Sequence, residues 1–363
     1  KQEAVNPLLT EWDTPYGVPP FDQIELEHYM PAFEQAMAAH VAEIEANTAN
    51  QEEPTFENTI LKFDDAGRLL EQVSLIFGML SAADTNPEMQ EIEAEVMPLL
   101  SAHSDRILLN EKLFARVRAV HDQLPQAGLN KKQERLVKKI YTEFVRSGAL
   151  LEGEKKERLK AINEELSTVS VEYARHLLAE NNAFQLVLEQ KEMGGLPQGV
   201  RDQAREKAQE LGLGEKFVFT LHKPSLIPFL TYSTDRALRE KLYTAYLNRG
   251  NNNDENDNKQ LINDFVRLRV EKANLLGYES YAAYVIANEM AGKTSAVYNL
   301  LDEIWTPAVE RAQKEVEAML PLFEKDHAGE KFQPWDWWYY AEKVRKQKYQ
   351  LDEEAVRQYL SLD

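Results

Sequence analysis

The chain contains no cysteine, which excludes disulfides, thiolate metal sites and a thiol nucleophile. It has no apolar run approaching the roughly 20 residues of a membrane-spanning helix, and no basic–apolar leader is written in these residues. Positive charge is in deficit: 42 Lys and Arg stand against 61 Asp and Glu, a net charge of −19. Such a field repels a polyanionic duplex, so nucleic acid is not expected as a partner. Its plainest consequence is solubility. Glycine and proline are sparse, 15 each in 363 residues, too few for an all-β chain of this length.

What remains is a globular balance, 43% hydrophobic and 28% charged, rich in helix-forming Glu, Lys, Ala, Leu and Gln. The expected fold class is mainly α. Residues 7–26 read as extended, because Pro15, Pro19 and Pro20 block helix. A helix over about Leu26–Ala46 turns Tyr29, Phe33, Ala36, Met37, Val41 and Ile44 to one face, with Pro31 marking its regular start. One long helix is expected after Pro54, with Phe56, Ile60, Phe63, Leu70, Val73 and Phe77 as its apolar side. Asn86-Pro87 starts another, running to about Leu109, and a further one follows Gly128–Asn130 to Phe144. Leu159, Ile162, Leu166, Val169, Tyr173 and Leu177 recur at steps of three and four, a stripe expected in the core.

Two short strands, 184–188 and 216–221, flank a helix at about Val200–Leu211. Helices resume near Asp235, and Gly277 ends one of them. From Thr294 to Phe323 the residues Val297, Leu301, Ile304, Ala308, Ala312, Val316, Met319 and Phe323 share a side, and Pro307 is expected to kink or divide that helix. The last helices are expected at about Trp335–Arg345 and Asp352–Leu360. This gives a helical region over 1–182, a small β-containing insert over 183–232, and a second helical region over 233–363. No repeat of fixed period is present.

Chemical motifs are missing too. A zincin helix needs two His at i and i+4 with Glu beside the first. None of the seven histidines (His28, His40, His103, His121, His176, His222, His327) has such a partner. Gly292-Lys293-Thr294 imitates the end of a phosphate loop, but Ala287 stands where its first Gly belongs; Thr294 reads instead as a helix cap. Gly212 and Gly214 follow a helix where a dinucleotide cradle precedes one, and Phe217 takes the third Gly position. Asn253–Asn258 fails as a calcium loop, with Lys259 at the obligatory Gly and Phe265 at the bidentate Glu. No catalytic, cofactor-binding or metal-binding role is assigned to any residue of this sequence.

Several blocks, in order, carry a resemblance. Asn6-Pro7-Leu8-Leu9 and Tyr16-Gly17-Val18-Pro19-Pro20-Phe21 come first, then Pro54-Thr55-Phe56-Glu57-Asn58-Thr59. Arg236–Tyr246 with Asn248-Arg249-Gly250 is next, then Arg267–Tyr278 with Tyr281-Ala282-Ala283-Tyr284 and Met290-Ala291. The aromatic run Pro334–Tyr340, continued by Glu342, Lys343, Arg345 and Tyr349, closes the series. Together they resemble the thimet-oligopeptidase/peptidyl-dipeptidase family of zinc metallopeptidases, its bacterial dipeptidyl carboxypeptidase branch in particular.

The resemblance implies a helical, two-lobed clamshell around a deep channel, and one zinc held by two His and a Glu of one helix plus a downstream Glu. The metal would activate water with the motif Glu as base, releasing dipeptides from the C-terminus of short oligopeptides. Those positions are expected beyond Asp363, so this sequence is expected to be an N-terminal portion, one wall of the channel, inactive without its C-terminal catalytic half. The aromatic residues Trp335, Trp337, Trp338, Tyr339 and Tyr340 would then either stack on substrate or, the plainer reading, pack the lobe junction with satisfied donors, and Asp336 would cap a helix. The polar lead Lys1–Asn6 fits an exported protein of a bacterial periplasm or envelope, with the cytoplasm as alternative.

Two other readings compete: a helical peptide-binding scaffold without catalysis, and an endo-acting oligopeptidase of the same family. A complete hydrolase with a dispersed metal site is a weaker third. A portion of a peptidase should expose an apolar surface where its other half docks.

Overall fold

The computed structural model describes residues 5–350, 356 and 359. The expected terminal helix at Asp352–Leu360 lies outside them, Val356 and Tyr359 apart. Short 3-10 turns occupy the proline-rich entry, and α1 follows at Tyr29–Ala49. Pro31 sits in its first turn, where a missing amide hydrogen costs little. The helices α2 (Lys62–Asp64), α3 (Arg68–Ala83), α4 (Pro87–Leu108), α5 (Glu111–Asp122), α6 (Lys131–Arg146) and α7 (Gly153–Ala183) come next. Then come β1 (Leu186–Leu188), α8 (Gln198–Glu210), β2 (Phe217–Phe219), α9 (Lys223–Tyr232) and α10 (Arg236–Leu247). The described chain finishes with α11 (Lys259–Leu275), α12 (Tyr281–Ile286), α13 (Thr294–Asp326) and α14 (Trp337–Tyr349). None of these helices is long and apolar enough to cross a membrane. The fold is mainly α.

The chain forms two compact units. The first takes residues 1–175 and recovers 261–284; the second takes 176–260 and 285–363. In the first unit, Tyr29, Phe33, Val73 and Phe77 pack between α1 and α3, with Phe77 edge-on to both rings. A second cluster joins α5 and α6 through Phe114, Val117, Ile140 and Phe144. Each such side chain contributes roughly 1.5–3 kcal/mol by leaving water. Asn86 caps α4 by accepting from the Met89 amide at 2.8 Å, and Asn130 caps α6 with a box closed by Gln133.

In the second unit the strands pair antiparallel, Leu186 opposite Phe219 and Leu188 opposite Phe217. Their buried face meets Phe229 and Leu230 of α9 and Leu242 of α10. A smaller cluster joins α13 to α14 through Met319, Phe323 and Tyr340.

The long helix expected after Pro54 is broken. A π-type turn at Phe56–Leu61 leads into α2, and Gly67 then turns left-handed at φ 78° before α3. Its amide donates to Glu43 Oε2 at 2.7 Å, and a side chain there would meet the His40 ring at 2.9 Å. Two helices were not anticipated. The first, α5, is capped by Asn110, which accepts from the Leu113 amide at 3.0 Å. The second, α9, carries Pro224 in its first turn and Pro228 inside.

The α7 stripe is core only at its start. Leu159 and Ile162 are fully buried, Leu166, Val169 and Leu177 are half-buried, and Tyr173 is exposed. α13 is not divided at Pro307. The helix is exposed there, so water can serve the carbonyl that proline leaves without a partner. Only Met319 and Phe323 of its apolar side are buried. In its first half Tyr298, Leu300, Leu301, Ile304 and Trp305 are more than half exposed.

Candidate functional site

Metal chemistry needs converging donors, so the histidines come first. The fold brings two of them together. His103 Nε2 of α4 lies 3.0 Å from His40 Nδ1 of α1. Burial, then each other's proximity and Arg106, pull His103 down to about 4. Burial lowers His40 as well, against the opposing pull of Glu43. Both rings are thus neutral at pH 7, and one N–H donates to the other's free nitrogen. Two rings are not a metal site: among the described residues no group of three or more His, Asp or Glu is placed to hold an ion. The other histidines serve locally. The Glu25 amide donates to His28 Nδ1 at 2.9 Å, and His222 Nε2 lies 3.2 Å from Asn182 Oδ1.

The aromatic run is organised by one carboxylate. Asp336 is fully buried at the start of α14. Arg236 donates to it through Nε at 3.0 Å and Nη2 at 2.9 Å. Arg239, also fully buried, donates through Nη2 at 2.9 Å, and the Gln333 amide donates at 3.0 Å. Burial alone would raise the Asp336 carboxyl. Hydrogen bonds from Arg236, the Gln333 amide and Arg239 outweigh it and hold the group below the usual carboxylate range. The remaining Arg239 donors reach the Ser233 carbonyl at 2.8 Å and the Trp335 carbonyl at 3.3 Å.

Asp336 was expected to cap a helix. Its side chain makes no cap bond to the amides of α14 and closes a box back onto Gln333 instead, because two arginines from α10 claim its oxygens. The expectation of satisfied donors holds for Tyr340, whose hydroxyl donates to Asp326 Oδ2 at 3.0 Å. It fails for Trp335, whose buried indole nitrogen has no partner. Lys343 also donates to Asp326, at 2.7 Å, and Arg345 grips Glu342 at 2.6 and 2.9 Å. With its carboxylates bound to cations, this cluster holds no free base. It is a clamp joining the 236–246 block to the 334–349 block.

The other blocks do similar work. Asn6 caps the first turn through the Leu8 amide and donates to the His28 carbonyl at 2.8 Å. Thr55 and Asn58 cap each other, and Arg116 reaches Asn58 Oδ1 and Thr59 Oγ1, both at 3.1 Å. In the 267–278 block Glu271 receives both Arg158 Nε at 2.6 Å and Nη2 at 2.7 Å. Gly277, at φ 81°, closes α11, and the Tyr278 amide returns to the Ala273 carbonyl at 2.9 Å.

The acidic loop 253–258 is internally capped. Asp257 accepts from the Asn253 and Lys259 amides at 2.8 and 2.9 Å, and Lys259 holds its carboxyl down at about 2. At the Gly292 turn Lys293, not Thr294, takes the cap position, and Thr294 opens α13.

Comparison with known proteins gives these clamps a common context. Residues 229–363 match the family described as "Peptidase family M3". The dipeptidyl carboxypeptidase of Escherichia coli (strain K12) is 38% identical over 361 residues, 99% of this chain and 53% of that protein. The dipeptidyl carboxypeptidase of Salmonella typhimurium is 36% identical over the same span. Oligopeptidase A of Escherichia coli is 32% identical over 364 residues, 98% of this chain and 52% of that protein. The chain thus spans about half the length of the relatives it matches. With similarity running along nearly all of its residues, the chain belongs to peptidase family M3.

Proposed function

We propose that this chain is the N-terminal part of a zinc-dependent peptidyl-dipeptidase that releases dipeptides from the C-terminus of short oligopeptides. The carrying observation is the ranking of similarity: 38% identity to a dipeptidyl carboxypeptidase over 99% of the chain, against 32% to an oligopeptidase A over 98%. In this reading the chain supplies one wall of the peptide channel. The zinc and the general base belong to the remaining half of the family length, and the chain alone is inactive. The exposed apolar residues of α13, with Trp305 70% exposed, support a partner polypeptide surface there. The similarity to oligopeptidase A favours an endo-acting peptidase as the second reading.

The purified chain, equilibrated with excess zinc and gel-filtered, should retain none. One tightly held zinc per chain would sink the proposal. For the family-length enzyme, an N-acylated tetrapeptide with a free carboxylate should yield its terminal dipeptide, and the C-terminal amide should not. Cleavage of both at internal bonds would establish the endo-acting reading instead.

A further inference from the structure

The first unit carries a cleft of about 530 Å³ lined by α4, α7, α11 and α12. Its polar floor is a relay of three side chains. Lys272 Nζ donates to Asn163 Oδ1 at 2.7 Å, and Asn163 Nδ2 donates to the buried Asp105 at 2.8 Å. Burial raises Asp105 and lowers Lys272, and the opposite charge of each partly offsets that cost for the other. Lys272 uses one of three ammonium donors in that bond.

Arg269 lies one turn earlier on the same face of α11. Its guanidinium carbon sits 4.0 Å from the Phe265 ring centre and 4.9 Å from that of Tyr281. It forms no ion pair among the described residues, while the neighbouring Arg158 and Arg267 are both matched to carboxylates. Ser167 lines the same cleft, with its hydroxyl buried and without a partner. Leu100, Leu166 and Val171 supply apolar wall.

A guanidinium fixed between two aromatic rings and left without a carboxylate is unexpected in a chain with 61 acidic residues. Its donors, together with those of Lys272, suit a flat oxyanion taken by the guanidinium fork. The apolar wall suits a hydrocarbon side chain beside that anion, and the volume suits a group of a few residues. We propose that this cleft binds the free C-terminal carboxylate of a short peptide, Arg269 gripping the two oxygens and the apolar wall taking the last side chain. The anion site stands on this geometry alone; its assignment to a peptide rests on the peptidase reading.

The test is calorimetric titration of the purified chain with N-acetyl-Ala-Ala-Leu, with its C-terminal amide, and separately with inorganic phosphate. The free acid should bind and the amide should bind at least about tenfold more weakly. Arg269→Gln should weaken the acid by a similar factor, and Arg269→Lys, keeping charge but losing the fork, by less. Arg269 is exposed, so both variants should fold, with Arg269→Gln melting only slightly below the parent for loss of its two ring contacts. Equal binding of acid and amide, an unaffected Arg269→Gln, or binding of phosphate without the peptide would each overturn the assignment. The titration measures binding only, so its outcome is separate from that of the zinc and cleavage assays.

Discussion

Replacing Asp336 with Asn tests the view that the aromatic block is held by charge rather than by stacking. The side chain keeps its size and loses its charge. Arg239, at 0% exposure, then stays buried without a counter-ion, while Arg236 at 19% can turn some of its charge to water. Removing one partner of a buried pair costs about 3–5 kcal/mol, because the other charge is left uncompensated. Urea unfolding followed by tryptophan fluorescence reads the effect locally, since three of the five tryptophans are Trp335, Trp337 and Trp338. Residues in contact couple by about 0.5–3 kcal/mol, so Asp336→Asn combined with Arg239→Met should lose less than the two singles summed. The pH dependence has a definite sign. The folded carboxyl is held low, so its contribution is complete above the unfolded value of about 3.9 and is lost as pH falls through the folded value. The Asn variant should lack that part of the acid limb. A loss under about 1 kcal/mol, or strict additivity of the two substitutions, would refute the reasoning.

Two further outcomes are expected. Gly67→Ala places a Cβ in a left-handed residue and against the His40 ring, and should lower stability by about 1–3 kcal/mol in thermal unfolding, where the same change at exposed Gly78 should not. His103 is held neutral, down to about 4, so its contribution is complete above the unfolded value of about 6.5 and shrinks as pH falls toward 4. His103→Leu should flatten the stability profile in that window, and an unchanged slope in urea titrations at pH 6.5 and 4.5 would contradict the assignment.

Local signals were readable from sequence wherever one residue settles a local question. Asn86-Pro87 and Asn130 start helices because their side chains accept the free first-turn amides. The two strands show as β-branched and aromatic runs, and the fold pairs them antiparallel. Asn110 gives the same kind of signal for α5, with Leu113, Phe114, Val117 and Val120 behind it. α9 is hidden by Pro224 and Pro228, which local propensity counts against helix although burial of Leu226, Phe229 and Leu230 favours it. Gly67 looked like one more helical residue, since the left-handed turn it makes is imposed by His40 and Glu43 from another helix. The stripe of α7 kept its period but not its burial, because period says which residues share a face and not what covers it.

The site features were the least legible. His40 and His103 are 63 residues apart, and Arg239 and Asp336 are 97 apart. Nothing in either local sequence marks such a pairing. The resembling blocks pointed to the right family without revealing that the 236–246 and 334–349 blocks are clamped to each other through Asp336.

The return of residues 261–284 to the first unit has a consequence for synthesis. Leu268 and Ala273 are buried, Lys272 bonds to a residue 109 positions earlier, and the Tyr284 hydroxyl reaches back 138 positions to the Arg146 carbonyl. The ribosome must therefore deliver the strands and helices of 176–260 before the first unit can close, and at about 5–20 residues per second that is a wait of seconds. During it Arg158 has no Glu271 and Asn163 has no Lys272. The clusters of α1, α3, α5 and α6 draw only on earlier residues and can form as they emerge, but the part of the first unit that α11 covers must wait for its last 24 residues.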